Sequence, residues 1–282
     1  MAIQTVGIVG AGTMGNGIAQ ACAVSGINVV MVDISEAAVQ KGLATVAGSL
    51  DRLIKKEKIT AADKDAALAR IKTSTSYDDL KSAQLVIEAA TENYDLKVKI
   101  LKQLDELLGA DVLVATNTSS ISITKLGAVT KRADKFIGMH FFNPVPMMKL
   151  VEIIRGLQTS DATHDAVKAL SEKLGKSPIT VKNAPGFVVN RVLVPMINEA
   201  FQVLSEGTAT AEDIDEGMKL GCNHPIGPLA LADMIGLDVC LAVMEVYLEE
   251  FGDSKYRPCY LLREMVAAGR LGRKTGQGVY SY

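Results

Sequence analysis

The spacing of apolar and polar positions changes part-way along the chain. Up to about residue 183, short runs rich in β-branched residues alternate with longer stretches of helical period; the runs are 5–9, 28–33, 71–73, 85–89, 112–116, 136–139, 150–154 and 179–181. Strands separated by helix-length segments are the mark of β-α-β units and therefore of a mainly parallel sheet. Between the second and third runs the interval is long and charged, residues 35–70, with Lys55, Lys56 and Lys58 breaking it into two helical stretches. This predicts a helical hairpin added to the sheet. After Asn183-Ala184-Pro185-Gly186 the strand period stops, and 187–206, 211–220, 229–251 and 258–268 read as helices set apart by Gly and Pro. The pattern thus predicts an α/β domain over residues 1–184 and an all-α domain over 185–282.

Gly10-Ala11-Gly12-Thr13-Met14-Gly15 follows the first strand directly and opens a helix, and Asp33 closes the second strand. Alone, a G-x-G-x-x-G string is weak; here the strand before, the helix after and the acid beyond all fall where a Rossmann-type dinucleotide fold needs them. Gly10 permits the tight turn, Gly12 lets the backbone approach a pyrophosphate, and Gly15 lets helix and strand pack closely, with Thr13 and Met14 in the same loop. The free N–H groups at the helix start favour anionic oxygens. Asp33 would accept hydrogen bonds from ribose hydroxyls and repel a 2′-phosphate. Because Ile34 supplies no compensating cation, the expected cofactor is NAD, not NADP.

Composition narrows the partners. The 282 residues suffice for two buried cores, and the 48% hydrophobic and 22% charged shares are those of an ordinary globular chain. A net charge of -2 leaves no footprint for nucleic acid. The four cysteines lack a C-x-x-C pairing, so neither disulfide nor structural metal is expected. No charged stretch followed by an apolar one opens the chain, so export is not expected and the location expected is the cytoplasm. The apolar stretch 225–248 contains Asp233, Asp238 and Glu245, which argues for a buried or subunit-interface helix instead of a membrane span. A homodimer or higher oligomer follows from it as an expectation.

Three histidines are available for proton chemistry. His164 lies on a charged helical stretch and reads as a surface residue. His224, in Cys222-Asn223-His224-Pro225, lacks the spacing of a four-ligand zinc site. His140 ends a strand pattern and precedes Phe141-Phe142-Asn143-Pro144-Val145-Pro146, at the carboxyl edge where open α/β sheets bind ligands. Oxidising an alcohol with NAD requires a base, and imidazole serves both directions of such a reaction. Glu152, among the aliphatics of the next strand, is costly there without a partner, and His140 would supply one. From spacing alone, catalysis and a merely satisfied core histidine stand level. By the same measure the hydroxyls of 116–120 read as helix caps and Asn190 as a buried amide.

Taken together with Glu88-Ala89-Ala90-Thr91-Glu92-Asn93, Asn117-Thr118-Ser119-Ser120, Pro185-Gly186-Phe187-Val188-Val189-Asn190-Arg191 and the tail Gly272-Arg273-Lys274-Thr275-Gly276, these motifs resemble the L-3-hydroxyacyl-CoA dehydrogenase family over essentially the whole chain. The resemblance implies an enzyme that moves a hydride between NAD and the 3-carbon of a short acyl-CoA. It implies His140 as base, Glu152 as its partner, and Ser119 and Asn190 as hydrogen-bonding groups around the reacting hydroxyl and thioester. It further implies NAD contacts from Asp33, Glu92, Lys97, Ser119, Asn143 and Lys274, and coenzyme A contacts from Ser49 and Lys56 on the hairpin, with the acyl chain held between the domains. Two other readings keep the scaffold: a dehydrogenase of a free 3-hydroxy acid or sugar acid, and an NAD-binding sensor without catalysis.

Overall fold

The computed structural model describes residues 3–282, and its contacts divide the chain into two compact units, one reaching to Ala184 and the other comprising Pro185–Tyr282. In the first unit every strand expected from the pattern is present: β1 (Thr5–Val9), β2 (Asn28–Val32), β3 (Ile71–Ser74), β4 (Leu85–Glu88), β5 (Leu113–Thr116), β6 (Phe136–Phe141), β7 (Leu150–Arg155) and β8 (Ser177–Lys182). They form one sheet in the order β3-β2-β1-β4-β5-β6-β7-β8. All neighbours run parallel except β6 and β7. Helices cover the sheet, which is why β4, β5 and β6 are buried along their whole length and read as continuous apolar runs, not as alternating ones.

The helices of this unit are α1 (Thr13–Val24), α2 (Glu36–Lys55), α3 (Ala61–Ala69), α4 (Tyr94–Leu107), α5 (Ile123–Gly127) and α6 (Asp161–Lys173). The interval between β2 and β3 is the expected hairpin, α2 and α3. Ser35 caps α2 by accepting the Ala38 N–H, and Thr60 with Asp63 forms a reciprocal capping box on α3, so both starts are fixed by local chemistry.

One boundary departs from expectation in a way that bears on the site. β6 was expected to stop at Met139 and instead continues through His140 to Phe141, because β7 pairs with it antiparallel, His140 opposite Glu152 and Phe141 opposite Val151. An antiparallel neighbour needs only the short loop 142–149, where a parallel one would need a full crossover.

The second unit holds α7 (Val189–Ser205), α8 (Ala211–Cys222), α9 (Pro228–Ile235), α10 (Leu237–Phe251) and α11 (Tyr260–Ala267). Residues 229–251, expected as one helix, are two. Gly236 has φ +109, a backbone that L side chains rarely adopt, and it ends α9 while starting α10. The turn lets Leu229 and Leu237 join Ile197, Phe201 and Leu262 in one core, while Val194, Met244, Tyr247 and Tyr256 form another. Among the described residues no helix is long and apolar enough to cross a membrane.

Candidate active site

The carboxyl ends of β1, β4, β5 and β6 meet at one sheet edge, and the chain leaves β1 and β4 on opposite sides of it, which opens a crevice. Gly10 lines that crevice with φ +106, and a Cβ there would fall 2.6 Å from the Ala89 carbonyl oxygen. At Gly15 a Cβ would lie 1.8 Å from the Gly10 carbonyl oxygen, so α1 can sit this close to β1 only without a side chain. Gly12 differs. Nothing lies within 4 Å of where its Cβ would be, which leaves open space over the start of α1. A cavity of about 390 Å³ adjoins it, lined by Gly10, Gly12, Asp33, Ile34, Tyr77 and Leu96 among others. That size falls within the range of small-molecule sites.

Asp33 stands just past β2, accepting the Ala11 N–H at 2.7 Å on one oxygen and the Ile34 N–H at 2.7 Å on the other. Each oxygen keeps a further lone pair for a ribose hydroxyl. The Tyr77 hydroxyl on the cavity wall is pushed above its usual pKa by burial and by the charges of Asp33 and Glu88, so it remains a neutral donor. The open glycine, the anchored acid and the cavity together fit a dinucleotide.

Further along the edge, His140 and Glu152 are both buried, and Nδ1 of the imidazole lies 2.7 Å from a Glu152 oxygen. An ionised carboxylate only accepts, so Nδ1 carries the proton and Nε2 of the neutral ring is left as an acceptor. Ser119 Oγ is 3.0 Å from that Nε2. Ser119 is exposed, and its hydroxyl is not a helix cap: that role belongs to Ser122, which accepts the Lys125 N–H at the start of α5. Asn117 ties the two strand ends together by accepting the Phe141 N–H at 2.9 Å.

Glu92 sits behind Ser119. One of its oxygens accepts from Thr118 Oγ1 at 2.5 Å, the Ser119 N–H at 2.9 Å, the Ser120 N–H at 3.1 Å and Ser120 Oγ at 2.9 Å. Partial burial would raise its pKa, but these bonds and the Lys97 charge outweigh it and hold the carboxyl below its usual range. The Lys97 ammonium, 1% exposed, donates to both oxygens of Glu88 at 2.8 Å and lies 3.5 Å from the second Glu92 oxygen. Glu88 is fully buried and also accepts from Thr116 Oγ1 at 2.6 Å and the Ala90 N–H at 2.7 Å. Sequence reasoning gave no role to Glu88 or Asn117 and read the Thr116 hydroxyl as a helix cap; for Glu88 the available signal was a lone acid in the apolar strand 85–88 with a lysine one helical turn into α4.

The remaining expected residues are more dispersed. Asn143 is exposed in the loop 142–149. Ser49 is half-buried on α2 and Lys56 is exposed at its C-terminal cap. Asn190 lies in the first turn of α7 in the second unit and is half-buried. Lys274, also in the second unit, pairs with Asp238 at 2.5 Å. His164 is not a surface residue: its ring is largely covered and bonds Thr180 Oγ1 at 2.8 Å and an Asp165 oxygen at 2.9 Å.

Comparison with known proteins agrees with this geometry. Residues 5–184 match the family described as 3-hydroxyacyl-CoA dehydrogenase, NAD binding domain, and residues 186–282 match the 3-hydroxyacyl-CoA dehydrogenase, C-terminal domain. The chain is 51% identical to a 3-hydroxybutyryl-CoA dehydrogenase of Bradyrhizobium diazoefficiens, covering 99% of this chain and 96% of the relative. It is 52% identical to a 3-hydroxybutyryl-CoA dehydrogenase of Clostridioides difficile, covering 98% of each. Among solved structures it is similar to (S)-3-hydroxybutyryl-CoA dehydrogenase PaaH1 from Ralstonia eutropha, with 79% identity, a TM-score of 0.99, and coverage of 100% of this chain and 99% of that one.

Proposed function

The chain belongs to the 3-hydroxyacyl-CoA dehydrogenase family, an NAD-binding family of oxidoreductases, and from that premise we propose that it interconverts 3-hydroxybutyryl-CoA and acetoacetyl-CoA. The observation that carries the reading is the line Ser119–His140–Glu152 at the dinucleotide edge of the sheet, with contacts of 3.0 and 2.7 Å. Bound NAD(H) supplies the hydride acceptor for the alcohol and the hydride donor for the ketone. The Gly10–Gly15 loop and Asp33 bind it. His140 takes the 3-hydroxyl proton at Nε2 in oxidation and returns it in reduction. The Glu152 carboxylate keeps Nδ1 protonated and stabilises the imidazolium that forms. Ser119 holds the reacting oxygen beside Nε2. Asn190, Asn143, Lys274, Ser49 and Lys56 carry their binding roles by family resemblance.

The test is NADH oxidation followed by absorbance with acetoacetyl-CoA and, separately, with free acetoacetate. Rapid turnover of the thioester and weak turnover of the free acid are expected; the reverse would assign a free-acid dehydrogenase, and no turnover of either would favour a non-catalytic NAD-binding protein.

We further propose a cytoplasmic location. We also assign a homodimer to the helical unit. Within 225–248, Leu229, Leu237, Cys240 and Met244 are buried, but Met234 and Val239 are left exposed, as are Val192 and Leu220 on neighbouring helices. Sedimentation at micromolar concentration should give twice the chain mass, and a monomer would overturn the assignment.

A further inference from the structure

Lys176 stands just before β8 and has no part in the chemistry above. Because β7 runs antiparallel to β6 and β8 runs parallel to β7, β8 starts at the sheet edge where β6 ends with His140 and Phe141. The Lys176 side chain is half-buried, and among the described residues no carboxylate pairs with it. Burial pulls the ammonium below its usual pKa, the cost of a charge held without an acid. Its two hydrogen bonds go to backbone carbonyls of the loop 142–149, to Val145 at 2.5 Å and to Met148 at 2.9 Å. We infer that Lys176 is a positioning residue for the reaction, which clasps these two carbonyls and so sets the loop that presents Asn143 to the coenzyme.

The loop is short of other anchors. Asn143, Pro144, Pro146, Met147 and Met148 are exposed, and only Val145 is buried, at 2% exposure in the core of the first unit. Val145 sits over Gly17 of α1, where a Cβ would fall 2.9 Å from Val145 Cβ, so the absence of a side chain on α1 lets the loop approach. The Pro144 carbonyl accepts the N–H groups of Met147 and Met148, both at 3.0 Å, which folds 144–148 into a turn. Lys176 closes that turn from the β8 side. A hydrogen bond from an ionised donor is roughly twice as strong as a neutral one, so the ammonium holds the turn more firmly than a backbone amide would. The loop starts at Phe142, whose ring centroid lies 4.6 Å from that of His140, and Asn143 therefore leaves the sheet edge beside the imidazole. Misplacement of a positioning group by about 1 Å can cost about a hundredfold in rate.

The inference rests on the proposed coenzyme role of Asn143, and the experiment keeps the two apart. Lys176→Met retains the apolar stem and removes the donor. It is compared with the parent, Asn143→Ala and the double variant, with folding checked by thermal unfolding. At saturating acetoacetyl-CoA, kcat/KM for NADH should fall about ten- to hundredfold in Lys176→Met, while KM for acetoacetyl-CoA stays within about threefold of the parent. In the Asn143→Ala background the same change should cost less than about threefold. A variant that unfolds at lower temperature but turns over like the parent would overturn the inference and leave Lys176 a residue of the fold alone. So would a loss confined to acetoacetyl-CoA, or one that multiplies in full on Asn143→Ala. If Asn143→Ala alone keeps the parent's kcat/KM for NADH, the coenzyme role of Asn143 fails first, and the inference falls with it. Should Lys176→Met not fold, Lys176→Gln, uncharged and one atom shorter, takes its place in the same comparison: a fall of about fivefold or more that vanishes on Asn143→Ala supports the inference, and parent-like kcat/KM overturns it.

Discussion

Two buried carboxylates lie in the same sheet, and each holds a nitrogen base, yet they are suited to opposite tasks. Glu152 faces an imidazole, whose second ring nitrogen can accept or donate a proton while Nδ1 stays bonded to the carboxylate. Glu88 faces an ammonium, which only donates, and its donors are taken up by Glu88, the Ala90 carbonyl and Glu92, so this pair is a fixed point. Burial is nearly the same in both cases. The difference is therefore not the environment of the acid but the chemistry of its partner, and function is read from the base.

The largest expected effect falls on the titratable pair. His140→Ala should lower kcat by roughly a hundredfold to ten-thousandfold with NADH affinity nearly intact. Glu152→Gln should also lower it, and the double variant should lose much less than the product of the single losses. Steady-state rates on purified, folded variants check this, and cleanly multiplicative losses would make the pair structural. The fixed pair should show the converse in stability. Lys97→Met alone should reduce unfolding free energy by about 3–5 kcal/mol in urea titrations at matched protein concentration, since it strands a buried charge. A stability equal to the parent would mean that Glu88 takes up a proton or water in compensation.

Smaller effects sharpen the contrast between buried and accessible carboxylates. Asp33→Ala should weaken NADH and raise NADPH use relative to it by about tenfold, measured as the ratio of kcat/KM values, because an unwanted like charge is removed. An unchanged ratio would take Asp33 out of the site. The smallest effect concerns Glu92. Its folded pKa is depressed, so its contribution to stability is fully present above the unfolded value and is lost as pH falls through the folded one. The gap in Tm between parent and Glu92→Gln should thus be constant near neutrality and close in the acid range below about pH 4.3. A gap that stays constant into strong acid would show that Glu92 is held by shape and not by charge.

Much of the fold was legible because its signals are local. All eight strands announced themselves as β-branched runs, and the Gly10–Gly15 loop carries its own geometry. What was not legible depends on partners distant in sequence. The pattern of β6 is complete at Met139, since a histidine breaks an apolar run, and only the antiparallel register with β7 shows why the strand continues to Phe141. The stretch 229–251 has an unbroken helical period, which cannot show that Gly236 adopts φ +109. Ser119 looked like a cap because Ser and Thr usually are. That Lys97 pairs with Glu88, and that Glu92 accepts the Ser119 and Ser120 amides, shows only once β4, α4 and the loop after β5 are assembled.

The sealed position of Glu152 has a consequence for how protons enter and leave. With Nδ1 engaged by a carboxylate that solvent does not reach, the imidazole exchanges its mobile proton through Nε2 alone. Substrate and bulk water must therefore exchange protons with the same ring nitrogen. If the 3-hydroxyl binds at Nε2 as proposed, the proton taken from it has no second ring nitrogen by which to leave, and the exposed Ser119 hydroxyl stands 3.0 Å from the one that holds it.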